Sequence, residues 1–312
     1  MPTVNLNHRP RLADLRRLGG TLSLLSPVTA RKAVRRTPAE ELRNRLGYQS
    51  DFLGPFKVTW PRLVEERAHD ALEVPGKDTY RLDYTHFSIT LSKSRRLALI
   101  AGVNIEGSQM VDVPRSNDRW ALDGRVADDA QAGEWLYSDN LLDRGHLVRR
   151  QDPNWGSDAE QANADTFHFT NCAPQMASFN QKNWLDLEDY LLENTRRWQA
   201  RATVFTGPVF GENDQEYRGV RIPKAFWKVV AFLSDDGKPS ATAYMVDQSR
   251  DLERLEAAFG RFRTYQRSVA YVEHVTGLDF GSLSRYDGFS NEERETGTRI
   301  EAELLTLDDI QL

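Results

Sequence analysis

The most regular feature of the sequence is a set of short stretches in which apolar and polar residues alternate, the period of two that indicates a β-strand. Residues 84–91 alternate in this way, and residues 97–103 form a nearly continuous apolar run. This pattern predicts a β-hairpin over residues 84–105 whose second strand lies in the middle of a sheet. Four more strands are predicted, at residues 166–170, 202–210, 226–233 and 240–246.

Helical periodicity is strongest over residues 183–198, where Trp184, Leu187, Leu191 and Trp198 recur at the spacing of one buried helix face. Shorter helices are predicted over residues 38–46 with Thr37 as the cap and Glu40 as its partner, over 251–262, and over 267–276 before Gly277. Because helices and strands mix without a regular βαβ alternation, the pattern predicts an α+β fold.

Charge divides the chain into three parts. The 312 residues carry a formal net charge of −5, but residues 1–37 hold many arginines against one acid, Asp14. Residues 288–312 hold seven acids against Arg294 and Arg299. We therefore predict a basic N-terminal arm with a short helix over residues 1–52, a folded domain over 53–287, and an acidic C-terminal tail over 288–312.

The composition excludes some classes of structure. The single Cys172 excludes an intramolecular disulfide and a zinc site built from thiolates, and we interpret it as a small core residue. No apolar run approaches the length of a membrane span, so no membrane partner is expected. No stretch makes a convincing signal peptide, which favours the cytoplasm and leaves a secreted, periplasmic or organellar location open.

Candidate chemistry is concentrated between Asp143 and Glu188. A neutral imidazole such as that of His146 can take a proton from an attacking water near pH 7. The planar guanidinium of Arg144 can donate two hydrogen bonds to a phosphate. Asn180 and Glu188 offer oxygens for a hard divalent cation, which would stabilise the charge that develops on phosphorus. These groups together favour the hydrolysis of a phosphodiester bond.

The spacing of the two oxygen ligands limits their roles. Eight residues of helix rise about 12 Å, so Asn180 and Glu188 cannot both contact one ion directly. Asn180 would be the inner ligand, and Glu188 would hold a metal-bound water or position the histidine. Purely structural roles remain possible for these residues. Asn commonly caps a helix, a Glu on a helix commonly faces solvent, and Asp-Arg-Gly-His could form a surface turn.

Two other histidines lie near this stretch in the sequence, and for both we expect a structural role. His86 falls in the first predicted hairpin, and His168 falls in the strand predicted over residues 166–170. His168 and His146 are not spaced as a helical pair of metal ligands, and no third ligand is placed by spacing. The polar stretch 110–140 is long for a loop, which favours substrate contacts there.

The order and spacing of the motifs resemble the DNA/RNA non-specific endonucleases of the ββα-metal type, a family that includes secreted bacterial nucleases and mitochondrial endonuclease G. The resemblance runs from about Tyr84 to Phe280. Its motifs in this chain are Asp143-Arg144-Gly145-His146, Thr170-Asn171 with Pro174-Gln175, Asn180-Gln181 with Trp184, Leu187 and Glu188, Phe205-Thr206-Gly207-Pro208, Ile222-Pro223 with Phe226-Trp227-Lys228, and Thr276-Gly277-Leu278-Asp279-Phe280.

The resemblance implies a fold and a set of roles. The fold is a central, mostly antiparallel sheet flanked by helices, with the active site on a β-hairpin and helix unit. His146 becomes the general base, Asn180 the sole direct protein ligand of Mg²⁺, and Glu188 an outer carboxylate. Members of the family also use an arginine upstream of the histidine to stabilise the transition state. This arginine usually precedes an aromatic residue, which is itself followed by an aspartate. Trp120 and Asp123 fill those two places, so the arginine is Arg115 by spacing, with Arg119 as the alternative.

The remaining site residues are candidates for gripping the substrate backbone: Asp143, Arg119, Arg149, Arg150 and Lys182. Many relatives follow the histidine with small residues and proline, whereas this chain has Leu147-Val148-Arg149-Arg150. The departure leaves the predicted catalytic residues unchanged and adds two cations beside them.

The resemblance implies a metal-dependent endonuclease that hydrolyses DNA and RNA and leaves 5′-phosphate ends, with Mg²⁺ as cofactor and Mn²⁺ as a substitute. A net negative charge is unusual for a nucleic-acid binder, but local arginines are enough for an enzyme that must release its product. Two alternatives remain: a catalytically silent binding or regulatory protein with the same fold, and a phosphodiesterase for small nucleotides. The expected partners are the DNA and RNA backbones. A homodimer is left open, and the sequence identifies no inhibitor protein.

Overall fold

The strands define the sheet that supports the rest of the fold. In this computed structural model the described residues are 34–115, 119–138, 140–176, 195, 200–234, 236–252, 263–304 and 310. Their strands are β1 (Arg36–Thr37), β2 (Arg62–Leu63), β3 (Leu82–Asp83), β4 (Phe87–Leu91), β5 (Ala98–Glu106), β6 (Leu122–Asp123), β7 (Leu142–His146), β8 (Cys172–Met176), β9 (Arg201–Val209), β10 (Gln215–Tyr217), β11 (Val220–Ile222), β12 (Ala225–Leu233), β13 (Pro239–Asp247), β14 (Arg263–Arg267), β15 (Leu278–Asp279) and β16 (Ala302–Leu304).

The helices of the described residues are short. They are α1 (Glu65–Asp70), α2 (Glu134–Tyr137), α3 (Ala159–Asp165), α4 (Ser249–Leu252), α5 (Val269–Thr276) and α6 (Gly288–Thr296). None of the helices in the described part of the chain is long and apolar enough to cross a membrane.

An antiparallel sheet of eight strands forms the centre of the fold, in the order β16-β14-β13-β12-β9-β5-β4-β3. Every residue of β5 is buried, as expected for a strand that is apolar on both faces and lies between two neighbours. The predicted hairpin over residues 84–105 is confirmed by β4 and β5. The three later predicted strands are confirmed as β9, β12 and β13.

A separate two-stranded sheet, β7 with β8, carries the Asp-Arg-Gly-His motif. Gln248, which is fully buried, attaches this small sheet to the rest of the fold. Its amide oxygen accepts from Met176 N at 3.0 Å, and its amide nitrogen donates to Pro174 O at 3.2 Å and Pro223 O at 2.7 Å. The hairpin is therefore fixed to the segment that enters β12.

Two predicted elements are wrong. Residues 166–170 do not form a strand, because Thr166 N and Phe167 N donate to the carbonyls of Ala162 and Ala164 and so continue the turn of α3. A 3-10 helix over Phe169–Asn171 follows, and strand β8 begins at Cys172.

The predicted helix over residues 38–46 is a single 3-10 turn, Ala39–Leu42. Thr37 does not cap it. Thr37 belongs to β1, which pairs in parallel with β6, and its hydroxyl lies 2.9 Å from His168 Nε2. The threonine side chain is thus bound across the fold and not to the following turn.

The helix predicted over residues 183–198 lies outside the described residues except for Thr195, which is helical. Most of the helix predicted over 251–262 is also outside them, and α4 covers its beginning. The helix predicted over 267–276 is confirmed as α5, which starts after its cap Ser268 and ends at Gly277 in the left-handed conformation.

The residues from Arg35 onward belong to one compact unit. This unit begins before and ends after the folded domain predicted over residues 53–287. Tyr48, which the sequence analysis assigns to the N-terminal arm, is buried in the core beside Trp60 and Phe205. At the other end, α6 and β16 fall in the predicted acidic tail, and β16 pairs with β14 at the edge of the central sheet.

Candidate active site on the β7–β8 hairpin

The β7–β8 hairpin presents the predicted base and arginine on one face. In its register His146 lies opposite Cys172, Arg144 opposite Pro174, and Asp143 opposite Gln175. Because successive side chains of a strand point to opposite faces, His146 and Arg144 share one face, and Asp143 shares the other with Gly145.

Gly145 is required by the close approach of Gln175. A Cβ atom at Gly145 would lie 2.0 Å from Gln175 Oε1 and 2.1 Å from Gln175 Cδ, distances that no side chain tolerates. The glycine of the motif therefore allows the Gln175 amide to lie flat against the strand that carries His146.

The His146 ring lies among aromatic side chains. Its centroid is 4.7 Å from that of Trp120 and 5.1 Å from that of Phe167, which meets it edge to face. The imidazole is half-buried. These contacts fix the plane of the ring, whose Nε2 atom is buried.

Asn171 holds the backbone that follows His146. Its amide oxygen accepts from Val148 N at 2.9 Å, while its amide nitrogen donates to Val148 O at 2.9 Å and to Thr166 O at 3.1 Å. Asn171 is fully buried, so these three bonds are shielded from water. Asn171 belongs to the Thr170-Asn171 motif, but its sequence context predicted no role for it, although an Asn directly before a strand was an available signal.

A buried lysine reaches the same backbone from the central sheet. Lys228 on β12 is 1% exposed, and its Nζ donates to Thr206 Oγ1 at 2.9 Å and to Leu147 O at 3.4 Å. Sequence reasoning missed this contact, although a lysine in the apolar strand Phe226-Trp227-Lys228-Val229-Val230 was a signal.

Arg144 is bound to a carboxylate in the free protein. Its Nε lies 3.1 Å from Glu134 Oε2, its Nη2 contacts Glu134 Oε1, and its guanidinium carbon is 5.7 Å from the centre of the Tyr137 ring. The guanidinium retains Nη1 for another ligand, since no contact with Glu134 uses it. Glu134 was not among the predicted site residues.

The two arginines before Trp120 are both exposed, and residues 116–118 between them lie outside the described residues. Arg119 precedes the tryptophan that contacts His146. Asp123, the aspartate after the aromatic residue, is fully buried and binds Arg125 and the Tyr84 hydroxyl. Burial acts to raise the pKa of Asp123, but the bonds and charge of Arg125 outweigh it and lower that pKa. Asp123 is thus an ionised part of the core next to the site.

The other candidates have mixed placements. Arg149 is half-buried, and Arg150 donates through Nη1 to Asn163 Oδ1 at 2.9 Å and to Val113 O at 3.1 Å. Arg150 therefore connects the loop after His146 with the stretch before Arg115. Asn180, Lys182 and Glu188 lie outside the described residues.

The expected structural roles of His168 and Cys172 fit their surroundings. Burial lowers the pKa of His168, whose Nδ1 donates to Asp165 O at 2.8 Å. Cys172 is fully buried, and burial raises the pKa of its thiol to about 12, so it is no nucleophile at neutral pH.

His86 is not a strand residue, contrary to the prediction. It occupies the turn between β3 and β4 with φ of 68°, stacks on Trp155, and donates from Nδ1 to Pro153 O at 2.8 Å. Burial lowers the pKa of its imidazole. The left-handed turn explains the failure of the alternation pattern at this position.

The hairpin offers oxygen donors of the type that Mg²⁺ prefers. Asp143 is a half-buried carboxylate. The amide of Gln175 is fully buried, and neither its oxygen nor its nitrogen has a hydrogen-bond partner among the residues that the structure describes. Carboxylate and amide oxygens are hard ligands of the type that Mg²⁺ prefers, but these two side chains lie on the hairpin face opposite His146, so the ligands expected beside the base are still the predicted Asn180 and Glu188. No group of three or more His, Cys, Asp or Glu side chains suited to a metal occurs within the described ranges.

Comparison with known proteins agrees with this architecture. The fold resembles that of endonuclease G in the crystal structure of the EndoG/EndoGI complex, with a TM-score of 0.53 and 18% identity over 68% of this chain and 89% of that one. The predicted fold is confirmed: an α+β structure of the ββα-metal nuclease type. The sequence model of the DNA/RNA non-specific endonucleases matches residues 66–287, more than half of the chain. The chain therefore belongs to the DNA/RNA non-specific endonuclease family.

Three relatives illustrate the range of this similarity. A Sinorhizobium fredii protein designated y4fB is 37% identical over 93% of this chain and 46% of its own length. Human mitochondrial endonuclease G is 32% identical over 38% of this chain and 44% of its own length, and a Nostoc nuclease is 31% identical over 46% and 52%. The chain spans about half the length of the curated relatives it matches.

Proposed function

We propose that this protein is a metal-dependent endonuclease that hydrolyses phosphodiester bonds in both DNA and RNA. The observation that carries the proposal is the placement of His146 and Arg144 on one face of a hairpin, in a chain whose family match spans that hairpin. An imidazole base and a guanidinium on one face suit the attack of water on a phosphate diester.

His146 is the proposed general base. Trp120 and Phe167 fix its ring, while Asn171 and Lys228 fix the backbone that follows it. A ring held in this way keeps a constant direction toward an attacking water, which is the geometric requirement for general base catalysis. His146 takes the proton as the water oxygen bonds to phosphorus.

Arg144 is the proposed phosphate ligand. Glu134 holds its Nε and Nη2, so its Nη1 has a defined direction for a phosphate oxygen. Arg115 is our proposed cation for the transition state, with Arg119 as the alternative. Asp143, Arg149, Arg150 and Lys182 are proposed to position the substrate backbone.

The family is metal-dependent and generally uses Mg²⁺. We propose that Asn180 would hold the ion directly and that Glu188 would hold it through a water. When bound, such an ion supplies positive charge to the scissile phosphate and the leaving oxygen. Departure of the 3′ oxygen leaves 5′-phosphate and 3′-hydroxyl ends. Sequence preference is weak, because the proposed contacts are to backbone and not to base edges.

The substrate range is tested by incubating the full chain with supercoiled plasmid, a single-stranded RNA and a cyclic dinucleotide, each with Mg²⁺, Mn²⁺ or EDTA. We expect nicking of the closed circle and cleavage of RNA with either metal, and neither with EDTA. Cleaved DNA should accept a 5′ label from polynucleotide kinase only after phosphatase treatment. Hydrolysis of the cyclic dinucleotide alone would assign a small-nucleotide phosphodiesterase instead, and binding without cleavage would assign a silent member of the family.

A further inference from the structure

An exposed tryptophan lies one residue from the carboxylate that binds Arg144. Trp135 of α2 is 41% exposed, whereas the next two residues, Leu136 and Tyr137, are buried. The helix is thus anchored by one side and presents the indole on the other. Tyr137 packs against Arg144, so the indole projects from an element in direct contact with the active hairpin.

Two arginines from separate turns lie close to Trp135, one at its ring and one at its backbone. Arg96 belongs to the turn between β4 and β5, and its guanidinium carbon is 6.0 Å from the centre of the Trp135 ring. Arg218 belongs to the turn between β10 and β11, and its Nη1 donates to Trp135 O and Ser138 O, both at 2.7 Å. We call Trp135, Arg96 and Arg218 the Trp135 surface.

Both arginines of the Trp135 surface adopt a backbone conformation that L-residues seldom adopt. The φ angles are 57° for Arg96 and 51° for Arg218. The tight turns explain this conformation: Arg218 and Gly219, with φ of 51° and 76°, are the two loop residues between the paired Tyr217 and Val220, and such a hairpin turn requires positive φ at both positions. Arg96 thus lies at the Trp135 ring, and Arg218 lies at the backbone of the helix that carries it.

The charge around the Trp135 surface favours an anion. Arg144 pairs with Glu134, the acid next to Trp135, and so neutralises it. Glu216 on β10 lies opposite Arg221 of β11 in the register of that hairpin. An exposed indole with Arg96 at its ring and Arg218 at its backbone, beside the arginine that we propose to bind phosphate, combines an aromatic face with positive charge, as single-strand binding sites do.

We propose that the Trp135 surface binds one unpaired base of the nucleic-acid substrate by stacking on the indole, with Arg96 and Arg218 contacting the phosphates on either side. This inference rests on the proposed function and specifies its substrate class. A base within a duplex is stacked on both faces and is not available to the indole. The surface therefore favours single-stranded DNA and RNA over intact duplex.

Binding to a cleavage-deficient background tests this inference. Affinities of a fluorescein-labelled 12-nucleotide oligo(dT) and of a 12-base-pair duplex are measured with His146→Ala and with the same variant carrying Trp135→Ala, Trp135→Phe or Arg96→Ala. Tyr286→Ala is the matched control, because Tyr286 is an aromatic residue of similar exposure, 38%, that packs against Phe56 and not against the hairpin.

We expect Trp135→Ala to weaken oligo(dT) binding about tenfold, the effect of losing one stacked base, and duplex binding less than twofold. Trp135→Phe should stay within about threefold of the parent, and Tyr286→Ala should have no effect. Arg96→Ala should reduce the slope of log affinity against log salt for oligo(dT) by about 0.7. Unchanged oligo(dT) binding in Trp135→Ala, or equal losses on single strand and duplex, would overturn the inference.

Failure of this inference can be distinguished from failure of the proposed function. If Trp135→Ala selectively weakens single-strand binding while the otherwise unaltered chain cleaves no substrate, the stacking site stands and the nuclease assignment falls. If that chain cleaves plasmid and RNA but Trp135→Ala binds oligo(dT) as its parent does, the stacking site falls and the nuclease assignment stands.

Discussion

Arg144 and Glu134 form a two-point ion pair in which Arg144 Nε lies 3.1 Å from Glu134 Oε2 and Arg144 Nη2 contacts Glu134 Oε1. The pair joins β7, the strand that carries His146, to the short helix α2 that precedes it in the chain. Because the guanidinium is planar, two fixed nitrogens determine the direction of the third. Glu134 is therefore a positioning residue for the arginine that we propose to bind phosphate.

Replacement of Arg144 by lysine should distinguish the contribution of its positive charge from that of its hydrogen-bond geometry. An ammonium group keeps the positive charge but cannot hold Glu134 at two points and offer a third donor in a fixed direction. We expect Arg144→Lys to lower kcat/KM for plasmid nicking by about ten- to a hundredfold, measured by initial rates. The melting temperature should change little, because a partly exposed ion pair contributes about 0–1 kcal/mol.

The matched control for that substitution is Arg62→Lys. Arg62 forms an exposed ion pair with Asp279 between β2 and β15, outside the hairpin. Its replacement should leave both nicking and melting temperature unchanged. Equal rates for Arg144→Lys and the unaltered chain would remove Arg144 from the proposed mechanism.

Gly145→Ala should disrupt the hairpin by a direct clash. The added Cβ would lie 2.0 Å from Gln175 Oε1, and relief of the overlap requires Gln175 to leave its buried position. We expect a loss of about 1–3 kcal/mol in the free energy of unfolding, measured in urea, together with reduced nicking.

A second substitution provides the control. Gln175→Ala in the Gly145→Ala chain removes the overlapping atoms, so it should recover part of the lost stability. Gly288→Ala, at a position where a Cβ meets nothing within 4 Å, should have no such cost. A Gly145→Ala protein as stable as the parent would show that Gln175 does not occupy this position in solution.

Asn171→Ala should impair both folding and catalysis. The substitution leaves Val148 N, Val148 O and Thr166 O without their buried partner, at a cost of about 1–3 kcal/mol for each group left unsatisfied and about 2–4 kcal/mol in total after relaxation. Because these bonds fix the loop after His146, kcat should fall more than KM rises.

Asn291→Ala serves as the comparison, since Asn291 donates one exposed hydrogen bond to Arg285 O near the start of α6. It should cost less than about 1 kcal/mol and leave kcat unchanged. The account of Asn171 would be contradicted if both variants lost the same stability and neither lost activity.

Stability should fall in mild acid through His168. Burial lowers the pKa of His168 in the folded protein below its ordinary value of 6.5. Between the folded pKa and 6.5 the unfolded chain binds more protons, so stability is fully present above pH 6.5 and decreases as pH falls below it. His168→Gln should flatten the dependence of melting temperature on pH between 7 and 5. His274→Gln, at an exposed position on α5, should not.

The sequence predicted the central sheet better than the surroundings of the site. Strands β5, β9 and β12 are mostly apolar and are buried over nearly their whole length, so the sequence pattern and the burial agree and the prediction succeeds. Residues 166–170 alternate as a strand would, but the backbone N–H groups of Thr166 and Phe167 are bound to the carbonyls of α3. A single sequence shows the alternation of side chains, but it does not show that local backbone hydrogen bonds will override it.

Supporting residues of the site were missed for a related reason. Glu134 lies ten residues before Arg144, in a stretch that the pattern left as an irregular loop, so nothing in the sequence connects the two charges. Lys228 is identified as buried only when β12 is known to lie between β9 and β13. Residue types at a site follow from the chemistry required, whereas the residues that hold them follow from tertiary packing.

The central claim, that His146 is the general base of an endonuclease, is tested most directly by nicking of a supercoiled plasmid in Mg²⁺ by the unaltered chain, His146→Ala and His274→Ala. Both substitutions remove one imidazole, but only the first removes one from the hairpin. The account predicts a loss of a hundredfold or more in rate for His146→Ala, the usual contribution of a positioned base, and no loss for His274→Ala. Nicking by His146→Ala at the rate of the unaltered chain would contradict it.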